Sequence, residues 1–158
     1  MIAYISVVSK PSEAAVIVWM RLVRAHRAAV SNVEAALRAA GHPPLEWYDV
    51  LLELERAGAL RPRDLQARLL LAQSNVSRLL DRMAAAGAVE RQPCDDDGRG
   101  YLVAATVSGR ALRLHMWPTY AGAIEAAVGR WLKGDEAGML ADLLGRMIEL
   151  GGVSDRVL

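Results

Sequence analysis

The chain of 158 residues is 53% apolar and 23% charged, with a formal net charge of +1. That length buries the core of one domain and leaves little for a second, and the near-zero charge excludes a polybasic nucleic-acid coat, so any DNA-binding charge must be placed locally. A single cysteine excludes an intrachain disulfide and no Cys or His cluster has zinc spacing, so a cytoplasmic chain without metal or cofactor is expected.

The opening IAYISVV is too short to span a membrane and has no basic residue before it, which argues against a signal peptide. Over residues 12–40, Val16, Val23, Val30 and Leu37 repeat at one heptad position and Trp19, His26, Val33 and Ala40 at another. A stripe that long requires a partner helix. Gly41-His42-Pro43-Pro44 reads as a loop between two helices, not as a domain linker.

The run DLQARLLLAQSNVSRLLDRMAAAGAVERQ has the pattern of a helix-turn-helix, whose second helix is expected over residues 73–86. Val76, Leu79, Leu80 and Met83 recur at i, i+3, i+4 and i+7 and so form a core-facing stripe. Gln73, Ser74, Asn75 and Ser77 lie in its first turn, with Arg78 and Arg82 further along the same polar side. Short donors there suit base edges in the major groove, and guanidinium groups suit phosphate or guanine. A solvated surface helix carries a similar face, so this pattern alone does not decide the matter. Gly87 supplies the helix stop.

Val89 to Gln92 and Tyr101 to Thr106 are apolar or β-branched runs on either side of Asp95-Asp96-Asp97-Gly98-Arg99-Gly100, which predicts an antiparallel hairpin with a turn rich in Asp and Gly. Three carboxylates at its tip oppose a purely electrostatic grip on phosphate. Asp97 is therefore expected to pair with a nearby Arg and stiffen the turn, leaving Arg99 to enter a narrow minor groove. Two further helices are expected beyond the hairpin: Ala111 to Trp131, interrupted by Pro118, and Asp135 to Leu150, capped by Asp135 and ended by Gly151-Gly152. Met139, Leu140, Leu143, Leu144, Met147 and Leu150 give the last one an apolar face. The expected fold is mainly α with a small β-hairpin wing: one domain over 1–158, with a winged helix-turn-helix unit at 45–110 and dimerisation helices at 12–40 and 111–150.

Residues 45 to 115 resemble the MarR (multiple antibiotic resistance regulator) family of bacterial transcription factors. The resemblance rests on Leu45, Tyr48, Val50 and Leu51, on Ser74, Val76 and the run from Ser77 to Met83, then on Gly87, Val89 and Arg91, and in the wing on Asp97, Arg99, Thr106 and Gly109. Ala72 stands where the family usually has a capping Ser, which costs helix-start stability of about 1 kcal/mol, and Gly98 replaces the first wing Arg. The resemblance implies a homodimer with intertwined first, fifth and sixth helices. It also implies a repressor reading a pseudo-palindromic operator in double-stranded DNA, and a cleft for a small phenolic or lipophilic effector. Trp19, His26, Tyr48 and Trp117 are the candidates to line that cleft, with Trp47 and Tyr120 beside them, although helical spacing alone already places such aromatics in a core. A buried imidazole at His26 would need a polar partner. His42 and His115 read as loop and surface residues.

Cys94 falls at the wing next to three Asp, where its thiolate is disfavoured, so an exposed and inert thiol is expected. The chain has no HExxH, GxSxG or GxGxxG, which leaves an enzyme without its machinery. The competing reading is a winged helix that binds a protein instead of DNA.

Overall fold

The computed structural model describes residues 10–70, 75–94 and 100–150. In chain order it contains α1 (Glu13–Ala39), α2 (Leu45–Ala57), α3 (Pro62–Gln66), α4 (Val76–Ala85), β1 (Val89–Pro93), β2 (Tyr101–Ala105), α5 (Val107–Ala127), a 3-10 turn (Gly129–Trp131) and α6 (Glu136–Leu150). This is a winged helix-turn-helix set between long terminal helices. None of the helices among the described residues is long and apolar enough to cross a membrane.

Local chemistry explains most boundaries. The Ser12 hydroxyl accepts from the Ala15 amide at 3.1 Å and starts α1. Gly41, at φ 74°, ends it, with the His42 amide reaching the Leu37 carbonyl at 2.9 Å in a Schellman closure. The same closure ends α4, where Gly87 has φ 72° and the Ala88 amide donates to the Met83 carbonyl at 2.9 Å. Glu34 of α1 then reaches across the Gly-His-Pro-Pro loop to accept from the Leu45 amide at 3.0 Å, satisfying an orphan donor at the start of α2.

Two apolar clusters divide the molecule. The first lies inside the winged helix, where Val76, Leu79, Leu80 and Met83 of α4 meet Val50, Leu51 and Leu54 of α2 and Val103 of β2. The stripe expected of α4 is thus its buried face. The second cluster joins the C-terminal half of α1 to α2 and α5 through Val33, Leu37, Leu45, Tyr48, Met116 and Ala123.

β1 and β2 pair antiparallel from Val89 opposite Ala105 to Pro93 opposite Tyr101. A third, single-residue strand not expected from sequence joins them: Leu60 exchanges two main-chain hydrogen bonds with Val103, at 3.0 and 2.8 Å.

Two expectations about α5 need correction. α5 begins at Val107, not Ala111, because Thr106 caps it, and it ends at Ala127, with Trp131 in the following 3-10 turn. It also continues through Pro118, which removes one main-chain donor without ending the helix. The heptad stripe of α1 is buried only at Val33 and Leu37. Val16, Trp19, Val23 and His26 are exposed, because no described helix of the same chain covers the N-terminal half of α1. α6 has no buried residue among those whose side chains are described, and Met139 on its apolar face is 53% exposed. Gly151-Gly152 lies outside the described residues.

The winged helix is fastened to α5 at one tight joint. The Thr106 hydroxyl accepts from the Gly109 amide at 2.9 Å and donates to the Gly87 carbonyl at 2.7 Å, linking the end of α4 to the start of α5. Gly109 makes this possible, since a Cβ there would lie 2.0 Å from the Ala88 carbonyl oxygen and 2.9 Å from the Leu51 side chain. Backbone oxygen cannot move aside as a side chain can. Gly109→Ala is therefore expected to destabilise the fold by about 2 to 3 kcal/mol, as overpacking of a rigid contact does, read from the urea midpoint at unchanged slope. An unchanged midpoint would contradict the tight joint.

Candidate nucleic-acid interface and adjoining cavity

The polar side of α4 is built outward from its buried stripe. Asn75 is the N-cap, its side-chain oxygen accepting from the Arg78 amide at 3.0 Å. This revises the sequence expectation twice: the cap lost at Ala72 is supplied three residues later, and the described helix begins at Val76, not at 73. It also divides the work of Asn75. The carbonyl is committed to the helix, and only the amide NH2 remains to donate. Ser77 and Arg78 are exposed just beyond it, and no ion pair or hydrogen bond engages the Arg78 guanidinium among the described residues. Gln73, Ser74, Asp97 and Arg99 lie outside the described residues.

Arg82 differs from the expectation of a DNA-facing cation. Its Nη2 lies 2.5 Å from Oε1 of Glu46, because Arg82 sits opposite the first turn of α2 once the apolar faces have packed. Asp81 pairs with Arg91 of β1, and the Arg91 guanidinium also covers the Tyr101 ring at 4.8 Å. The acidic residue of the polar face is thereby neutralised from the wing side. At the wing base, Arg61 Nη2 donates to Cys94 Sγ at 3.3 Å, so this thiol is half-buried and touched by a cation, not exposed among carboxylates alone.

α1, α2 and α5 line a cavity of about 370 Å³. His26, Tyr48 and Trp117 line it as expected, and Tyr120 joins them. Trp19 does not. It lies two turns before His26 on the exposed half of α1, 65% exposed. His26 is also exposed in the single chain, so the buried imidazole anticipated from the apolar seam is not found. His42 and His115, read as unremarkable, meet edge to face at 5.1 Å, and Nε2 of His42 is 3.2 Å from the Thr119 hydroxyl.

Sequence reasoning missed Asp49, which lines the cavity while only 3% exposed. The available signal was a carboxylate within the apolar run WYDVLL of α2. Its Oδ2 accepts from the Leu70 amide at 2.7 Å, and Leu70 also lines the cavity. This hydrogen bond ties α2 to the segment that follows α3 at the cavity wall. Tyr48, Trp117 and Tyr120 form an aromatic cluster with ring centroids 4.8 to 6.1 Å apart. Burial, then the negative charge of Asp49, then Tyr48, push the Tyr120 phenol above its ordinary pKa, so it stays protonated at neutral pH. At the outer edge Arg113 donates to the Tyr48 hydroxyl at 3.2 Å and pairs with Glu55 at 2.7 Å; the Glu55 bond is the largest cause of the raised Arg113 pKa, partly offset by burial. Among the described residues no group of three or more His, Cys, Asp or Glu is placed to hold a metal ion.

Since the Asn75 carbonyl caps α4, Asn75→Ala should lower stability by about 1 kcal/mol while Asn75→Asp should retain the cap. Chemical denaturation of the two variants checks this, and equal stability of the alanine variant and the parent would remove the capping role.

Residues 40–100 match the MarR family model, while no curated protein sequence matches the chain. Among solved structures, a MarR family transcriptional regulator from Streptomyces coelicolor in complex with DNA is similar at 21% identity and a TM-score of 0.77, covering 92% of this chain and 96% of that one. A mutant MarR from E. coli complexed with operator DNA aligns at 23% identity and a TM-score of 0.72, over 88% of this chain and 99% of that one. BpsR from Bordetella bronchiseptica, solved in work on the regulation of its DNA binding by 6-hydroxynicotinic acid, aligns at 24% identity and a TM-score of 0.73, over 83% and 98%. The segment 40–100, which holds α2 to α4 and the first strand of the wing, is a MarR-family segment, and the chain that carries it has the fold of MarR-family structures.

Proposed function

We propose that this chain is a DNA-binding transcriptional regulator, not an enzyme, acting as a two-fold homodimer that represses from a pseudo-palindromic operator. The observation that carries the reading is the division of α4 into a buried apolar stripe and a solvent-facing side, on which Ser77 and Arg78, whose guanidinium has no partner among the described residues, follow the Asn75 cap. A helix held that firmly presents short donors and a guanidinium at fixed spacing, as major-groove reading requires. Ser74, Asn75 and Ser77 read base edges, Gln73, Arg78 and Arg82 reach phosphate or base, and Arg99 enters the minor groove from a wing stiffened by Asp97. Arg82 must exchange Glu46 for DNA to do so. Exposed pairs of this kind hold by only about 0 to 1 kcal/mol, so the exchange is cheap.

The dimer is supported by apolar surface that one chain leaves bare: Val16, Trp19 and Val23 on α1, and Met139, Leu143 and Met147 on α6. A second copy related by a two-fold axis covers both faces and sets two recognition helices about one DNA turn apart. A small aromatic or lipophilic effector in the cavity releases the operator by preferring a dimer whose recognition helices are wrongly spaced. The solved relatives bound to DNA, and the one regulated by an aromatic acid, agree with both parts of this reading.

Titration of the duplex flanking the chain's own coding region, against a scrambled duplex at several salt concentrations, tests it. Arg78→Ala should weaken binding to both duplexes and flatten the salt dependence by roughly 0.9 in slope for each phosphate that is no longer neutralised. Ser77→Ala should cost specific binding about 1 to 3 kcal/mol and leave the scrambled duplex nearly unaffected. Variants that match the parent on both duplexes would overturn the assignment of α4 and favour a protein-binding winged helix.

A further inference from the structure

We propose that the cavity lined by α1, α2 and α5 takes an uncharged aromatic ligand carrying a hydrogen-bond acceptor such as a ketone oxygen, and that the Tyr120 hydroxyl donates to that acceptor. The inference rests on the effector part of the function proposed above and narrows its ligand class. Aliphatic side chains, Val30, Val33, Leu52 and Ile124 among them, share the lining with the rings of Tyr48, Trp117 and Tyr120, whose centres lie 4.8 to 6.1 Å apart. A volume of about 370 Å³ between such surfaces suits a ligand of about two fused rings, which gains by leaving water.

Charge is disfavoured in either sign. Among the described lining residues there is no Lys or Arg. Arg113, which touches Tyr48, is not one of them, and its two terminal nitrogens are spent on the Tyr48 hydroxyl at 3.2 Å and the Glu55 carboxylate at 2.7 Å. An aromatic carboxylate entering here loses hydration without gaining a cation. Asp49, the acidic residue of the lining, is engaged by the chain itself, at the Leu70 amide and in a further interaction, so an ammonium ligand must compete with the protein for it. His26 stands on the exposed side of α1, where water screens it. An uncharged ligand meets none of these costs.

The aromatic wall supplies the donor that orients such a ligand. The Tyr48 hydroxyl is held by Arg113 at the outer edge, whereas the Tyr120 hydroxyl has no hydrogen-bond partner among the described residues, on a half-buried ring. A phenol is protonated at neutral pH, and burial pushes the Tyr120 pKa further up, so this hydroxyl remains a donor. A half-buried hydroxyl without a protein partner gains by meeting an acceptor. The indole N–H of Trp117 is the other donor of the wall, on a residue 38% exposed, where water competes with the ligand.

Calorimetric titration of the full chain with probes of one shape tests the proposal. 2-Acetonaphthone is uncharged and carries one acceptor, 2-isopropenylnaphthalene replaces its oxygen by a CH2 group, and 2-naphthoate and 1-(2-naphthyl)ethylammonium carry a negative and a positive charge. The ketone is expected to bind at least about tenfold more tightly than either ion. In Tyr120→Phe the ring is kept and the donor is gone, so the ketone should bind about three- to tenfold more weakly while the isopropenyl compound holds its affinity. Either ion binding as tightly as the ketone, no binding by the ketone, or a Tyr120→Phe variant that leaves the ketone unchanged or weakens both neutral probes alike would each overturn the proposal. The comparison of charges on the parent chain stands even where the variant folds poorly. Operator binding measured on the same preparations separates the two readings, because its persistence places a failure in the ligand class and not in the DNA-binding function.

Discussion

The architecture depends on the contact at Thr106, Gly109 and Ala88. One hydroxyl caps α5, closes onto the carbonyls that end α4, and does so only because residue 109 has no Cβ to strike the Ala88 oxygen. Two bodies meet there. On one side is the compact winged helix with its own core; on the other is α5, which carries the second core and the cavity wall. A hydroxyl and an absent methyl group thus hold the end of α4 against the start of α5. Arg113 adds a second tie between α5 and the winged helix, through the Tyr48 hydroxyl and the Glu55 carboxylate of α2.

A second constraint is area. The described chain covers the apolar stripes of α2 and α4 almost completely but leaves one face of α6 and the N-terminal half of α1 in water. Scattered apolar residues on a surface are ordinary, whereas contiguous apolar faces along two helices mark a surface meant to be covered. In the proposed dimer these faces belong to α1 and α6 and not to α4, so assembly and DNA binding use different helices. The cavity lies where α1, α2 and α5 meet.

How much of this was legible in the sequence follows from the range of the forces involved. The buried stripe of α4, its Gly87 stop and the paired strands were readable because periodicity and turn chemistry are local. Thr106 and Gly109 were recognisable as a spacing, but the reason for the glycine lies in Ala88, which is distant in sequence and meets it only after folding. Asp49 escapes a sequence reading for the same cause: its role comes from Leu70, Trp117 and Tyr120, which folding brings to it from other segments. His26 reads as buried from its seam, yet no described helix of the chain covers it. Leu60 could not have been found as a strand, since a single bridging residue leaves no alternating pattern. The end of α5 is misplaced by sequence where apolar residues continue into the 3-10 turn and periodicity gives no warning.

The central claim is that a second copy covers α1 and α6 and thereby fixes two reading helices in one particle. Sedimentation equilibrium of the full chain at low micromolar concentration tests it most directly. The account predicts a species of twice the 17.1 kDa chain mass, with Leu143→Glu driving it toward the monomer by placing a charge in an interface of more than about 2,000 Å². A parent chain that sediments as a monomer under these conditions would contradict it.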